Sequence, residues 1–460
     1  MYTIDFSVKS KVHFTGIGGI SMSGLAEILL SKGFTVTGSD SKKSEVTEIL
    51  ENLGATVYIG QRQANITDDI DFLVYTAAVK SDNPELVAAK EKNIPTLTRA
   101  ELLGQIMKHY KVAIGVAGTH GKTSTTSMLS NIFLYAKKDP TILVGGMLPS
   151  IGGNSLVGNS ENFITEACEY TNSFLSFAPT IAVILNVKED HLDFFKDIDD
   201  IRNSFKRYAK LLPSDGTLVI NGEIDNLSFF TDDLDCNVST FGSNPSTCTY
   251  SYKDLSFDEY ARGSYTLLIN NEEAGKVNLK VTGEHNVLNS LAAIASAVAS
   301  GISVEDAIAG LYTYEGVDRR FQHKGKLGDI EIIDDYAHHP DEINATIAAA
   351  KNYPHKDLWV VFQPHTYTRT KSLMNEFANS LCKADKIVLA DIYAARETDN
   401  LGISSQTLAN EIKKYNPNVY YFPTFSEIEN FLLENLSSGD LLITMGAGDV
   451  VKIGENLLGK

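Results

Sequence analysis

Apolar runs, glycine-rich turns and helical patterns follow one another three times along the chain. The three segments read KVHFTGIGGISMSGLAEILLSKG, KVAIGVAGTHGKTSTTSMLSNIFL and DLLITMGAGDVVKIGENLLG. A buried strand, a glycine turn and a helix in succession form the unit of a doubly wound parallel sheet. Because the units are far apart in the chain, they predict three separate α/β layers.

Shifts in this pattern divide the chain into three blocks. The first block ends in the helical stretch that follows Pro95. The second has a polar stretch from about Asp225 to Glu273, which we predict as antiparallel strands and loops, and then a long helix that Gly301 closes. In the third block, strands such as IEIIDDYA and LWVVFQP alternate with helices. We predict a Rossmann-like domain, a central phosphate-loop α/β domain and a second Rossmann-like domain, at residues 1–108, 109–316 and 317–460.

Composition and charge argue against several classes of protein. A chain of 460 residues is long enough for two or three domains, and its net charge of -18 opposes binding to nucleic acid or an anionic membrane. The four cysteines are scattered without metal-finger spacing, which favours a reducing compartment. The start of the chain lacks a signal-peptide pattern, and LAAIASAVAS is too short to span a bilayer. We expect a soluble, cytoplasmic protein.

The segment GVAGTHGKTSTT has the composition of a phosphate-binding loop without the usual glycine spacing. Val116 stands where the common pattern has glycine, although the Gly-Lys-Thr core is intact and lies between an apolar run and a helix. In that context Lys122 reaches the β- and γ-phosphate oxygens and Thr123 offers a hydroxyl to Mg²⁺. The alternative is a glycine turn with a surface lysine. His120 is either a γ-phosphate contact or a solvent-facing loop residue.

Acidic and histidine side chains follow two predicted strands of the middle block. Glu166 ends the run NFIT, Glu169 comes three residues later, and His191 follows the run TIAVILN. Carboxylates at strand ends beside a phosphate loop suit Mg²⁺, so Glu166 is the first candidate ligand and Glu169 the second. A lone histidine near a helix start is more often structural, and spacing alone favours that interpretation of His191.

Asparagine and arginine side chains mark the end of the middle block. Asn286 and Asn289 share one helix face in GEHNVLN, where they either contact an adenine edge or cap the helix; the residues alone favour capping. Arg320, in DRRF, lies where the third block begins. It either neutralises charge on a transferring phosphate or belongs to a solvated turn.

Ionisable groups crowd the ends of two strands in the third block. The segment IEIIDDYAHHPDE brings Asp334, Asp335, His338 and His339 into one turn before a helix. Such crowding at the carboxyl end of a strand more often marks a site than an accident. Arg369, in FQPHTYTRT, follows the next strand and suits a substrate carboxylate or phosphate.

The first glycine loop, GIGGISMSG, is similar to a dinucleotide-binding fingerprint. Asp40, at the end of the second strand, stands where a ribose-binding acid is expected. The glycine spacing departs from the usual fingerprint, so the loop is weak evidence for a nicotinamide cofactor and suits any pyrophosphate.

With these motifs in this order, and with EACEYTNSFL, EDHLDFF, RRFQ and MGAGD, the chain resembles the Mur ligases of peptidoglycan synthesis. In that family the phosphate loop has the sequence G-T-x-G-K-T. The first glycine of this pattern is Gly118, so Val116 is no longer a mismatch. The resemblance implies three domains: an N-terminal one for a UDP-sugar, a central ATPase and a C-terminal α/β domain. It implies an ATP-dependent ligase that joins UDP-N-acetylmuramate to L-alanine through an acyl phosphate. Such an enzyme serves peptidoglycan precursor synthesis, and through it cell-wall biogenesis, cell shape and cell division.

The resemblance also implies which residues form the sites. ATP would contact Gly118, Thr119, His120, Gly121, Lys122, Thr123, Ser124, Asn286, Asn289 and Arg320. The UDP-sugar would contact Gly16, Gly18, Gly19, Ser21, Met22, Asp40 and Arg369. Magnesium would be held by Thr123, Glu166 and His191. The catalytic residues would include Lys122 and Arg320. We add Asp335 and His338 from their place in one turn, with the hypothesis that one or the other positions or deprotonates the amine.

Two departures and several rivals remain. Thr366 stands where many relatives have arginine, and Lys206, which some related ligases modify, is expected to be an ordinary surface residue. The rivals are a ligase that attaches a recycled peptide to the same sugar, a folylpolyglutamate synthase, an NAD(P) oxidoreductase and a nucleotide-binding regulator. GIGGISMSG favours the ligase for a single amino acid. We expect a monomer or weak homodimer, and the choice among L-alanine, glycine and L-serine stays open.

Overall fold

The first layer is a parallel five-stranded sheet with helices around it. In the computed structural model, residues 2–76, 79–192, 194–395 and 397–460 are described. The strands are β1 Lys11–Thr15, β2 Thr35–Asp40, β3 Thr56–Ile59, β4 Phe72–Tyr75 and β5 Thr96–Thr98. The helices are α1 Ile20–Ser31, α2 Glu45–Asn52, α3 Pro84–Glu91 and α4 Arg99–Met107, with a 3-10 turn at Gln63–Asn65. The strand order β3-β2-β1-β4-β5 puts a topological switch point between β1 and β4.

The second layer is a ten-stranded mixed sheet. Its strands are β6 Val112–Ala117, β7 Thr141–Leu148, β8 Gly153–Leu156, β9 Asn162–Glu166, β10 Ile181–Ile184, β11 Thr217–Asn221, β12 Asn237–Phe241, β13 Tyr250–Phe257, β14 Arg262–Ile269 and β15 Glu272–Thr282. Its helices are α5 Lys122–Tyr135, α6 Ile198–Ala209, α7 Ser228–Thr231, α8 His285–Ala299 and α9 Val304–Tyr312, with 3-10 turns at Pro149–Ile151 and Tyr170–Ser176. The strand order is β15-β14-β13-β12-β11-β10-β6-β9-β7-β8.

The polar stretch of the middle block is partly what the sequence predicts. Strands β13, β14 and β15 pair antiparallel, as expected. Strand β12, inside the same stretch, is instead parallel to β11 and extends the main sheet. The prediction was wrong there, because a five-residue strand gives too little pattern to indicate its direction.

The third layer is a six-stranded sheet that is parallel except at one edge. Its strands are β16 Gln322–Leu327, β17 Ile330–Asp335, β18 Leu358–Phe362, β19 Lys386–Leu389, β20 Val419–Tyr421 and β21 Leu441–Met445. Its helices are α10 Pro340–Ala350, α11 Tyr367–Ser372, α12 Met374–Leu381, α13 Ser405–Ile412, α14 Phe425–Asn435 and α15 Val451–Leu457. The order β16-β17-β21-β18-β19-β20 leaves the antiparallel hairpin β16–β17 at the edge.

The three predicted strand–turn–helix units are present as β1–α1, β6–α5 and β21–α15. Gly121 explains why one of these turns needs glycine. It caps α5 with a φ of +87°, and a Cβ atom at this position would lie 2.7 Å from Oδ1 of Asn289. Both the backbone conformation and the close approach of α8 therefore exclude a larger residue.

Direct hydrogen bonds join the first layer to the second. Oε2 of Glu27, on α1, accepts the hydroxyl proton of Ser155 at 2.7 Å, and the Asn154 amide donates to the Ile20 carbonyl at 2.8 Å. These contacts seat α1, which follows the first glycine loop, on the β7–β8 hairpin. No helix among the described residues has the length and apolar character needed to cross a bilayer.

Candidate active site

The phosphate loop between β6 and α5 closes around the amino group of Lys122. Its Nζ donates to the carbonyl oxygens of Gly118 and Thr119, at 2.5 and 3.1 Å, and to both carboxylate oxygens of Glu169, at 2.9 and 3.2 Å. Burial alone would lower the pKa of this ammonium group, but the charge of Glu169 outweighs burial and raises that pKa. Lys122 is therefore a fixed positive charge in the first turn of a helix, where phosphate oxygens are favoured.

Asn186, just after β10, holds the loop from the other side. Its Oδ1 accepts the His120 N–H at 2.9 Å, and its Nδ2 donates to the His120 carbonyl at 3.0 Å. The Thr119 N–H also reaches the Asn186 backbone oxygen at 3.2 Å. Sequence reasoning missed Asn186, whose only local signal is its place after a buried strand. Together these bonds fix the course of the loop backbone.

The predicted magnesium ligands flank the loop. Because β6 lies between β9 and β10, Glu166 at the end of β9 and His191 beyond β10 reach the same sheet edge as Thr123. One oxygen of Glu166 accepts a backbone N–H of β7 at 2.6 Å, and Nε2 of His191 lies 3.9 Å from Oε1 of Glu169. Hydroxyl and carboxylate oxygens are the ligands that Mg²⁺ prefers, so Thr123 and Glu166 suit that ion, whereas His191 offers a nitrogen. Glu169, the second candidate, is paired with Lys122.

A cavity of about 290 Å³ opens between the second and third layers, beside the phosphate loop. It gathers many of the predicted residues: His120, Gly121, Ser124, Asn286, Asn289, Arg320 and Asp335. Leu185, Phe241 and Leu288 supply apolar wall. The two asparagines are buried and linked, since Asn289 Nδ2 donates to Asn286 Oδ1 at 3.1 Å and Asn286 Nδ2 to the Thr282 carbonyl at 2.8 Å. A pocket with apolar walls and a few fixed amides suits a nucleobase.

Glu342, which sequence reasoning missed, joins the loop to the third layer. Its Oε1 lies 3.3 Å from Nδ1 of His120 and 3.9 Å from Nη1 of Arg320, and its Oε2 accepts the N–H groups of His338 and His339, at 3.0 and 3.3 Å. Burial would raise the pKa of this carboxyl, but the charges of His338, His120 and Arg320 hold it well below its usual range. The sequence feature that could have indicated Glu342 is a capping box, because Glu342 stands three residues after the residue that caps α10.

Asp335, a predicted catalytic residue, is fully engaged by its own domain. It accepts the Ala337 N–H at 2.8 Å, the Phe321 N–H at 3.1 Å and the Thr346 hydroxyl at 3.0 Å. Burial raises its pKa to about 6, against the opposing charge of Arg320. The carboxylate thus ties the end of β17 to α10 and to the segment that enters the third layer.

His338, the second predicted catalytic residue of this turn, is less engaged. Its Nδ1 lies 3.0 Å from the Tyr336 carbonyl, which fixes the proton on Nδ1 and leaves Nε2 as the acceptor nitrogen. Burial lowers its pKa to about 4, against the charge of Glu342. The ring is therefore neutral at physiological pH.

A second cavity, of about 250 Å³, lies beside the first and contains Arg369, His191 and Thr366. Nη2 of Arg369 lies 3.2 Å from Oδ1 of Asp190, and Nη1 lies 3.2 Å from Nδ1 of His365. Burial would raise the pKa of the Asp190 carboxyl, but Arg369 and His191 lower it far below its usual range. The cavity joins the predicted substrate arginine to the predicted metal histidine. Sequence reasoning did not predict that Asp190 pairs with Arg369.

The first glycine loop forms a separate site, and among the described residues it lines neither cavity. The N–H groups of Gly16 and of Ile17 donate to the Ser39 carbonyl at 2.8 and 2.9 Å, and the Gly18 N–H donates to Oδ2 of Asp40 at 2.9 Å. Gly19 caps α1.

Two predicted sugar contacts in the first turn of α1 differ in exposure. Ser21 is exposed, whereas Met22 is buried and its N–H donates to the Gly19 carbonyl at 2.8 Å.

The two departures noted in the sequence have local partners. Thr366 has a φ of +66°, which is unusual for a β-branched residue, and its hydroxyl accepts the Arg369 N–H at 3.4 Å, capping α11. Nζ of Lys206 lies 2.8 Å from Oδ2 of Asp233 and 4.7 Å from the centre of the Phe229 ring. The carboxylate and the aromatic ring both favour an unmodified ammonium group on Lys206.

Comparison with known proteins gives one consistent picture. Descriptions of three families match consecutive parts of the chain: "Mur ligase family, catalytic domain" at residues 11–111, "Mur ligase middle domain" at 116–297 and "Mur ligase, glutamate ligase domain" at 319–448. The chain belongs to the Mur ligase family, and its prediction as a three-domain α/β protein is confirmed.

Two full-length relatives of this chain share one name. UDP-N-acetylmuramate–L-alanine ligases from Lachnospira eligens and Lachnoclostridium phytofermentans are 60% and 55% identical to this chain, each over 100% of both sequences. The crystal structure of a UDP-N-acetylmuramate-alanine ligase from Thermotoga maritima is 29% identical and superposes with a TM-score of 0.82, covering 98% of both chains. A murein peptide ligase from Psychrobacter arcticus is 26% identical, with a TM-score of 0.73 over 98% of both chains.

Replacing Glu342 by glutamine tests its ionised state. Because the carboxyl has a lower pKa in the folded protein than in the unfolded chain, its stabilisation is complete above about pH 4.5 and is lost as the pH falls below that value. We expect Glu342→Gln to lower the free energy of unfolding by about 3 kcal/mol near pH 7. This difference should hold down to about pH 4.5 and shrink at lower pH, as measured by urea unfolding along a pH series that extends well below that value.

The matched control is Asp341→Asn, at a neighbouring carboxylate that is 55% exposed. We expect it to change the free energy of unfolding by less than about 0.5 kcal/mol. A Glu342→Gln difference that stays constant across the pH series would contradict an ionised, paired Glu342.

Proposed function

We propose that this protein joins L-alanine to the carboxylate of UDP-N-acetylmuramate and converts ATP to ADP and phosphate, as an early step of peptidoglycan precursor synthesis. The observation that carries the proposal is a pair of cavities, of which one is lined by residues of the phosphate loop. That cavity has a nucleobase-like lining, and the other contains Arg369 and His191. His338 contacts residues of both cavities, since its backbone N–H donates to Glu342 of the first and its ring lies 5.9 Å from that of His365 of the second.

The chemistry explains why a nucleotide is needed. A carboxylate is a poor electrophile, so its oxygen first attacks the γ-phosphorus of ATP and forms an acyl phosphate with release of ADP. The amine of L-alanine then attacks the acyl carbon, and phosphate leaves with the original carboxylate oxygen. Lys122 and Arg320 are placed to neutralise charge that develops on the phosphoryl oxygens in the first step.

Magnesium would be held by Thr123, Glu166 and His191. When bound, it would screen the phosphate oxygens from the incoming carboxylate. The UDP part of the sugar nucleotide would meet the glycine loop of the first layer, where N–H groups at the start of α1 favour a pyrophosphate. Asp40 is placed there for the ribose.

We assign the two residues of the DDYAHHP turn different roles. His338 would accept the proton of the attacking amine at Nε2, since the ring is neutral and the proton it carries lies on Nδ1, toward the Tyr336 carbonyl. Asp335 would hold the turn in place and would not itself accept the proton, because three donors already occupy its oxygens.

The alternative is a ligase that attaches a recycled peptide to the same sugar. It is less supported, because the murein peptide ligase is 26% identical to this chain whereas the L-alanine ligases reach 60%. We further propose that the enzyme works in the cytoplasm, where ATP and nucleotide sugars are available, as a monomer or weak homodimer. Its net charge of -18 argues against nucleic acid as a partner.

The reaction predicts a strict substrate requirement. Phosphate release from ATP should need UDP-N-acetylmuramate and an amino acid together. Competition among L-alanine, glycine and L-serine should favour L-alanine by roughly tenfold or more, because glycine lacks the methyl group and L-serine adds a hydroxyl. A coupled phosphate assay with mass analysis of the product measures both. Release with a peptide but not with L-alanine would support the recycling ligase, and NADH turnover would support an oxidoreductase.

His338→Gln tests the proposed base. We expect a loss of about a hundredfold or more in kcat with L-alanine. Hydroxylamine is already unprotonated at neutral pH, so trapping of the acyl phosphate as a hydroxamate should continue at nearly the normal rate. Equal losses with both nucleophiles would contradict a proton-accepting role, and His355→Gln, at a histidine distant in the fold from both cavities, should lose neither activity.

A further inference from the structure

A carboxylate lies fully buried beneath the first glycine loop. Glu85, in the first turn of α3, has a side chain with 0% exposure. It accepts the hydroxyl protons of Thr15 at 2.8 Å and Ser39 at 2.7 Å, and the Asn65 amide at 2.7 Å. These donors come from β1, from β2 and from the turn after β3, so one carboxylate joins the ends of neighbouring elements.

His13 is the ring that packs against Glu85. Its side chain is also 0% exposed, and its Nε2 lies 3.4 Å from Oε2 of Glu85. Its Nδ1 lies 2.9 Å from the hydroxyl oxygen of Thr37, whose proton is donated to the Val12 carbonyl at 3.2 Å. Nδ1 must therefore donate to Thr37, which fixes the orientation of the ring and keeps Nε2 beside the carboxylate.

The pairing keeps Glu85 ionised although it is buried. Burial would raise its pKa, but the hydrogen bond and charge of His13, together with Asn65 and Ser39, outweigh burial and lower that pKa. An unpaired charge at this depth would cost several kcal/mol. A pair of apolar side chains would fill the same space without that cost, so stability alone does not explain the charges.

Ser39 connects this carboxylate to the glycine loop. Its hydroxyl donates to Glu85, while its backbone oxygen accepts the N–H groups of Gly16 and Ile17 at 2.8 and 2.9 Å. The next residue, Asp40, accepts the Gly18 N–H at 2.9 Å. The end of β2 thereby sets the direction of the first loop residues. The whole arrangement stands at the switch point between β1 and β4, where open α/β sheets bind ligands.

We infer that Glu85, held by His13, is a positioning residue for the UDP-sugar. It fixes Ser39, and Ser39 holds the N–H groups of Gly16 and Ile17, so that the loop turns the start of α1 toward the pyrophosphate. A preformed loop spends less free energy on ordering when the ligand binds. Glu85 itself has no exposed surface and touches no ligand. The inference rests on the proposed function, because it assigns the loop to UDP-N-acetylmuramate.

The test compares the binding of two nucleotides by the full-length protein. Isothermal titration gives the Kd of UDP-N-acetylmuramate and, separately, the Kd of ADP for the wild type and Glu85→Gln. We expect Glu85→Gln to raise the first Kd by about tenfold or more and to change the second by less than about twofold. In the ligase assay, KM for the UDP-sugar should rise while kcat at saturation is kept.

Glu101→Gln is the matched control. Glu101 belongs to the same domain and also binds a backbone N–H, that of Thr98 at 2.7 Å, but it caps α4 away from the glycine loop. We expect Glu101→Gln to lower the melting temperature without changing the ratio of the two Kd values. An effect of Glu85→Gln that is equally large for both nucleotides would show general destabilisation and overturn the inference.

Ser39→Ala isolates the connection itself. It removes the hydroxyl that reaches Glu85 and keeps the backbone oxygen that holds the loop. We expect a smaller rise in the Kd of UDP-N-acetylmuramate, and a Ser39→Ala/Glu85→Gln double variant no weaker than Glu85→Gln alone. If Glu85→Gln does not fold, an unchanged Kd in Ser39→Ala overturns the inference. A wild-type protein that binds ADP but no UDP-N-acetylmuramate would overturn the proposed function instead.

Discussion

The ammonium group of Lys122 sets the main electrostatic constraint of this molecule. It is largely removed from water inside a phosphate loop, and Glu169 balances its charge at 2.9 Å. Two further cations also have a carboxylate partner: Arg369 pairs with Asp190 at 3.2 Å, and Arg320 faces Glu342 at 3.9 Å. Each of these cations is thus held in place by an internal carboxylate. In the proposed function, the anionic groups of ATP and of the UDP-sugar compete with these carboxylates for the cations.

Much of the fold was predictable because its signals are local. A buried run, a glycine turn and a helix lie within about 25 consecutive residues, and the three such units all have the expected geometry. The phosphate loop was recognisable for the same reason, since Gly121, Lys122 and Thr123 are adjacent in sequence. The direction of β12 was not predictable, because pairing between short strands depends on neighbours that are distant in the chain.

The partners of the site residues were mostly hidden in the sequence. His120 and Glu342 are 222 positions apart, and Arg369 and Asp190 are 179 apart, so no spacing rule connects them. Asp335 was a reasonable catalytic candidate as a crowded acid at a strand end, yet only the structure reveals the three donors around it. Glu85 gave no signal at all, because a lone glutamate in a first helical turn usually lies in solvent.

The central claim is that the substrate carboxylate is activated as an acyl phosphate at the phosphate loop. The most direct measurement uses UDP-N-acetylmuramate with ¹⁸O at both carboxylate oxygens, followed by mass analysis of the phosphate released with L-alanine and ATP. The mechanism predicts that each phosphate carries one ¹⁸O atom from the carboxylate, because that oxygen becomes the bridge to phosphorus. Phosphate without the label, formed alongside the amide product, would contradict the mechanism.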